Sequence, residues 1–329
     1  MEELESGRAL QAVSALRYKS EMKIAKKARK LASPFEVRHG SSFRLKDCDP
    51  AGLQGMHSKE KAKQLLQESV AVLSEMQQKL YAQNQWALLL VIQAMDAAGK
   101  DSLVKHVMSG VNPQACEVAS FKQPSAEELN HDYLWRTARH LPERGKIGIF
   151  NRSYYEEVLV VRVHQEFLAR QHLPSRLVTK KIWKERYEDI CAFEKYLTRN
   201  GIVIRKFFLN VSKEEQKRRF MERLDNPEKN WKFSEADVHE RRYWDDYMQA
   251  YEDMVRHTAT PHAPWYVVPA DHKWFTHVTV SAAIIQTLQE MDLQPPKVDK
   301  ERRKALDAAR EALLKDNPKK DNPSNVRKT

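Results

Sequence analysis

The sequence predicts an α/β fold: a parallel sheet of about five strands flanked by helices, with a helical lid. Three observations carry this. Five short apolar runs recur along the chain, helical stretches separate all of them, and the first run leads directly into a tight turn ending Gly-Lys. Residues 1–33 read as a basic helical arm, with Lys19, Lys23, Lys26, Lys27, Arg29 and Lys30 in one stretch. Pro34, Gly40, Pro50, Gly52 and Gly55 make 34–57 a loop-rich connection, so 1–57 is expected to be an arm and loop ahead of the main domain. From 58 to 83, Leu65, Leu66, Val70, Leu73, Met76 and Leu80 recur at helical spacing behind a Ser58 start signal. The run 86–92 is apolar throughout, as a strand buried on both faces should be. Strands follow at 116–121, 146–150, 202–209 and 265–268, and helices at 100–109, 125–141, 152–170, 175–199, 212–224, 234–256 and 279–291. Gly110, Gly145 and Gly201 sit at element boundaries, where a positive φ is useful. The catalytic domain is thus expected over 58–296, with a lid at about 212–260. The remainder, 297–329, lacks aromatics and reads as a charged, disordered tail with one helical segment around 299–315.

Composition narrows the function. The chain has 329 residues, 41% of them hydrophobic, and a formal charge of +11. That excess suggests a polyanionic partner. It is unevenly placed: residues 1–46 carry +6, residues 297–329 carry +5, and the interior is neutral. A polyanion site in the interior must therefore be a local cluster. The longest clean apolar run is seven residues, far short of the ~18 that a membrane span needs. No signal-peptide pattern opens the chain, and Cys48, Cys116 and Cys191 form neither a metal spacing nor a disulfide framework, so a cytoplasmic protein is expected, with no membrane or nucleic-acid partner.

The chemistry concentrates in three segments. The first strand runs into Gln93-Ala-Met-Asp-Ala-Ala-Gly-Lys100 and then Asp101-Ser102. A buried strand, a turn of small residues and a helix start are what a phosphate-binding loop requires, because backbone N–H groups converge on an anion and the lysine reaches the outer phosphates. Ala97, Ala98, Gly99, Asp101 and Ser102 are the phosphate contacts this reading implies, with Lys105 one turn on. Ala94 replaces the usual first glycine, and Asp101 stands where a magnesium-binding hydroxyl would be. Asp96 inside the loop repels phosphates unless a metal lies between them, which makes it a metal-ligand candidate. An ordinary strand–helix turn would read similarly.

The second segment, Lys146-Ile-Gly-Ile-Phe-Asn-Arg-Ser-Tyr-Tyr-Glu-Glu157, places Asn151 and Arg152 at a strand tip facing the first loop. Arg152 suits an oxyanion clamp; Asn151, Glu156 and Glu157 suit a metal, and Tyr155 substrate positioning. The two glutamates alone would equally fit a solvated helix face. The third segment, 176–223, carries 14 basic against 7 acidic side chains, including Arg205, Arg218, Arg219 and Arg223, and could line a groove for a long anion. A solvated helix would show the same charges.

Together with Phe121-Lys-Gln-Pro-Ser125, which contains Lys122, and Ala263-Pro-Trp-Tyr-Val-Val-Pro-Ala-Asp-His-Lys-Trp274, these segments resemble the polyphosphate kinase 2 family of the P-loop kinase fold, over about 35–295. The resemblance implies Asp96, Lys100, Arg152 and Glu156 as the catalytic set. It implies Mg²⁺ (or Mn²⁺) held by Asp96 with Asn151, Glu156 and Glu157, and a dimer or tetramer. The donor would be inorganic polyphosphate. The nucleotides would be AMP, ADP and ATP, with guanine nucleotides also open. Asn151 stands where the family often has Asp, and with Tyr-Tyr-Glu-Glu it looks like the class III branch, which phosphorylates both mono- and diphosphates. Two alternatives stand beside it: an ATP-dependent nucleoside or nucleotide kinase, and a noncatalytic polyanion-binding protein on a degenerate loop.

Overall fold

A computed structural model describes residues 26–296 and 298–315. Most of the basic arm and the end of the tail, 1–25 and 316–329, lie outside the described residues, so the expectations for them go no further here. The described residues after Gln294 belong to a separate unit, in which α8 (Lys300–Lys315) occupies the expected helical segment.

The main unit, through Gln294, is built on a six-stranded sheet. Its strands are β1 (Glu36–Val37), β2 (Ala87–Ala94), β3 (Cys116–Ser120), β4 (Ile147–Asn151), β5 (Ile202–Asn210) and β6 (Trp265–Pro269), in the order β1-β6-β5-β2-β4-β3. All neighbours run parallel except β1, which pairs antiparallel with β6 through Glu36↔Tyr266 and Val37↔Trp265. All eight residues of β2 are buried. Leu88 to Ile92 register with both Ile147–Asn151 and 203–207, so β2 is covered on both edges and both faces. That is why its sequence shows no alternation.

Among the helices around the sheet are α1 (Lys59–Gln83), α2 (Lys100–Val107), α3 (Ile182–Arg199), α4 (Lys213–Asp225), α5 (Glu235–Glu240), α6 (Trp244–Thr258) and α7 (Lys273–Glu290). Ser58 caps α1 by accepting from the Lys61 N–H, and Asn84 ends it in the left-handed region. Its apolar stripe, including Val72, Leu73, Met76 and Leu80, packs along α7. In α7, 14 residues are buried, Phe275 and Val278 among them, and the helix starts six residues before the expected 279. Burial there overrides the weak helix propensity of its aromatic and β-branched start.

Four expectations change. The two helices read at 125–141 and 152–170 are instead single turns and 3₁₀ segments, including Tyr154–Val158 and Gln165–Gln171. Arg152 is left-handed at φ 64, which no helix tolerates, and Ser153 caps the turn that follows. The 34–57 segment contributes β1 and buries Phe35, Phe43 and Leu45, with the Phe35 ring edge-on to Phe275 at 5.9 Å. The lid region divides: α6 is a core helix that buries Trp244, Tyr247, Tyr251 and Met254, whereas 226–243 buries no side chain. Of the glycines expected at positive φ, Gly145 and Gly201 take it and Gly110 does not.

Candidate active site

The sheet reverses direction of growth around β2, because β3 and β4 lie on one side of it and β5 and β6 on the other. Loops at the carboxyl ends of β2 and β4 therefore face one crevice. The β2–α2 loop spans Met95 to Gly99. Gly99 takes φ 111, and Ala97 takes φ 60, a region that costs an L-residue roughly 1–2 kcal/mol. Ala94 keeps an ordinary φ, so the missing first glycine leaves no strain there.

Helix α4 holds the loop in this shape. Gln216 Nε2 donates to the Asp96 carbonyl at 2.9 Å. Arg219 donates from one terminal nitrogen to the Ala97 and Ala98 carbonyls and from the other to those of Ala270 and Asp271. Its Nε is bound to Glu215 at 2.7 Å. Every donor group of Arg219 is thus spent inside the protein, and it is a loop clamp rather than the polymer contact the sequence suggests.

At the loop's end, the Lys100 ammonium donates to the carbonyls of Ala94 (2.8 Å) and Met95 (3.3 Å). Burial pulls its pKa down, opposed by Asp96. Across from it Arg152, at the tip of β4, donates to Asp96 Oδ1 at 2.8 Å and lies 3.7 Å from Glu156. Its own N–H bonds the Ile92 carbonyl. These ties keep a strained residue in place. Glu156 and Asp96 hold Arg152 firmly charged. Burial pushes Glu156 up, while Arg152 and Lys100 pull it back. With the Gln93 amide oriented to satisfy both its ends, its nitrogen donates to Glu156 Oε1 at 2.9 Å. Asp96, Lys100, Arg152 and Glu156 are therefore together.

Asn151 donates to Asp101 Oδ1 at 2.8 Å, while its own Oδ1 is buried without a hydrogen-bond partner among the described residues. That free acceptor and the half-buried Asp96 carboxylate fit a hard divalent cation that takes its other ligands from phosphates and water. Among the described residues no group of three or more His, Cys, Asp or Glu is placed to hold a metal alone.

Other candidates lie elsewhere. Tyr155 is fully buried and donates to Glu194 Oε1, far from solvent. Arg205 turns to Glu290. Glu157 accepts from Gln171 and faces Arg186, not the loop. Arg218 pairs on the surface with Glu215 and Glu222. Arg223 faces Asp237 at 3.8 Å. Ser102 approaches His277 at 3.4 Å, and Lys105 is exposed on α2. Lys122 lines the rim of the cavity.

That cavity, about 460 Å³, opens from Ala94, Met95 and Asp96 past Arg152 and Glu156 to an aromatic end at Phe121, Tyr133 and Phe167. Its volume suits a small ligand. The sequence reading missed several of its groups. Asp237 and Glu240 reach in from α5, Tyr251 from α6, and burial together with Asp96 pushes Asp237 up. Lys273 lies over Gly99, its pKa lowered by burial and by Arg219. Only the Asp-His-Lys-Trp274 motif hinted at Lys273.

The comparisons with known proteins follow the same lines. The pattern of the family described as "Polyphosphate kinase 2 (PPK2)" matches residues 56–296. The chain is 53% identical over 259 residues to an ADP-polyphosphate phosphotransferase of Rhodopseudomonas palustris, covering 78% of this chain and 90% of that one. It is 44% identical to an AMP/ADP-polyphosphate phosphotransferase of Meiothermus ruber, covering 80% and 94%. The crystal structure of polyphosphate kinase 2 from Arthrobacter aurescens TC1 superposes with a TM-score of 0.78 at 40% identity, covering 87% of this chain and 97% of that one.

Proposed function

The chain belongs to the polyphosphate kinase 2 family, and from that premise we propose a reaction for its site: transfer of the terminal phosphoryl group of inorganic polyphosphate to AMP or ADP, with Mg²⁺. It is a phosphotransferase acting between polyphosphate and nucleotides. One observation carries the residue assignment: Lys100, Asp96, Arg152 and Glu156 converge where the β2–α2 loop meets a cavity large enough for a nucleotide.

An ionised oxygen of the acceptor's phosphate attacks the terminal phosphorus of the polymer. The bridging P–O bond breaks, and the shortened polymer leaves with the electron pair. The attacking oxygen carries no proton at neutral pH, so no general base is needed. Lys100 and Arg152 neutralise the charge spread over the transferred group, and the clamped loop N–H groups fix its position. Asp96 and Asn151 Oδ1 would hold Mg²⁺ against the phosphates, where it would screen their mutual repulsion. Glu156, drawn toward Lys100 and Arg152, keeps both cations aimed at the crevice. The nucleoside takes the aromatic end of the cavity, and the polymer approaches over Gly99 past Lys273 and Arg223. Catalysis is assigned to 58–296, braced by 26–57, in a cytoplasmic homo-oligomer; light scattering tests the last point.

Purified protein given polyphosphate, Mg²⁺ and AMP or ADP, with no ATP, should form ADP or ATP. Chelation by EDTA should stop it, and added Mg²⁺ should restore it. A strict need for ATP as donor would overturn the reading.

A further inference from the structure

We propose that Glu157 reads the acceptor nucleoside: its carboxylate, braced by Arg186 and Gln171, accepts a hydrogen bond from a donor group of the sugar or the base. The inference rests on the nucleotide reading of the cavity and deepens it.

Glu156 and Glu157 are adjacent on the 3₁₀ turn Tyr154–Val158, where successive side chains point about 120° apart. Glu156 faces Lys100 and Arg152. Glu157 therefore faces the other way. Gln171 Nε2 donates to its Oε2 at 2.7 Å, and an Arg186 terminal nitrogen lies 3.9 Å from the same oxygen. Arg186 also donates to Gln171 Oε1 at 2.8 Å, which closes a three-membered brace. Oε1 of Glu157 receives no hydrogen bond from the described residues. A carboxylate oxygen can accept a hydrogen bond, and this one is left open toward the cavity that Glu157 lines.

A second polar group waits beside it. The Tyr133 hydroxyl is buried without a hydrogen-bond partner among the described residues, and the Arg186 guanidinium lies 4.0 Å over its ring. Glu157 and Tyr133 line the cavity at the end away from the phosphate loop, among Leu129, Val160 and Phe167. An apolar pocket with a few fixed polar groups is how proteins orient small ligands. A purely structural pair would be sealed, as Lys206 and Glu194 are at 0% exposure; the Glu157 side chain keeps 11%. A metal role is disfavoured because Arg186 and Arg136 surround the carboxylate with positive charge. The group it can take is a hydrogen-bond donor, either a ribose hydroxyl or an exocyclic amine.

The test is Glu157→Gln, with KM and kcat measured for AMP and for polyphosphate, and the Mg²⁺ dependence recorded. The expected result is a rise of about tenfold or more in KM for AMP, with kcat, KM for polyphosphate and the Mg²⁺ response changed less than about twofold. Repeating the pair with 2′-deoxy and 3′-deoxy AMP and with IMP, which lacks the exocyclic amine, locates the donor. The variant and the wild type should converge on the analogue that has lost it. An unchanged KM for AMP, an equal penalty on every analogue, or a shifted Mg²⁺ response would overturn the inference. If Glu157→Gln does not fold, Arg186→Lys takes its place, with the same selective rise in KM expected and the same outcomes against it. A wild-type protein that makes no product from polyphosphate overturns the parent reading instead, so the two failures are distinct.

Discussion

Two charged clusters lie on opposite sides of one short turn, Tyr154–Val158. Beneath it, Lys206 donates to Glu194 Oε2, the Tyr155 hydroxyl and the Thr258 carbonyl, while Glu194 Oε1 accepts from Tyr154 and Tyr155. All three lysine donors are matched, and both charges are sealed from solvent. Above the turn, Asp96, Arg152 and Glu156 are as closely paired, yet Asp96 and Arg152 keep about a third of their side-chain surface. There the backbone is strained at Ala97 and Arg152, and an acceptor of Asn151 is left over. Charge and burial alone do not separate a supporting cluster from a working one. Unspent hydrogen-bonding capacity and stored strain do.

The largest effect expected from breaking this contrast is at Lys100. Lys100→Ala should lower turnover by about 10³-fold or more, because the charge it supplies acts in a water-poor site. Its melting temperature should stay within a few degrees, since Lys100 bonds only two loop carbonyls. Lys206→Met should do the reverse. Leaving Glu194 buried without its cation should cost about 3–5 kcal/mol in denaturant unfolding, and adding Glu194→Leu should recover much of it. The protein that remains folded should turn over within a few-fold of wild type.

Next come two neighbours on α4. Arg219→Ala removes five bonds that hold the phosphate loop, and both kcat, by about 10²-fold, and unfolding free energy, by about 2–4 kcal/mol, should fall. Arg218, 62% exposed, should cost less than about 0.5 kcal/mol on replacement by Ala and leave kcat nearly unchanged. A further effect is a pH dependence behind the loop. Burial, with His106 stacked at 4.6 Å, pushes His277 down from 6.5 to about 4. The unfolded chain then takes up a proton first, so this histidine's contribution to stability is complete above pH 6.5 and is lost as pH falls toward 4. In His277→Gln, melting temperature should depend less on pH across that window.

The sheet was legible because β2, β4 and β6 are buried and read as apolar runs, and because β5 is apolar on either side of Arg205-Lys206. The two-residue β1 was not, since its pairing with β6 leaves no pattern of its own. The phosphate loop and the Asn151-Arg152 tip were legible because their chemistry is sequential. What a basic side chain does with its charge was not. Lys206 on β5 and Arg219 on α4 look like surface charges until tertiary contacts show their partners 12 and more than 100 residues away. Glu156 and Glu157 read as a pair, and only the turn geometry sends them to opposite ends of the cavity.

Arg152 tests the central claim most directly, since it is strained and is the residue proposed to neutralise the transferred group. Arg152→Gly suits φ 64 and removes the guanidinium. Phosphorus-31 spectra of this variant with polyphosphate, ADP and Mg²⁺ should show no ATP signal, while the melting temperature stays within a few degrees of wild type. ATP formation at the wild-type rate would contradict the account.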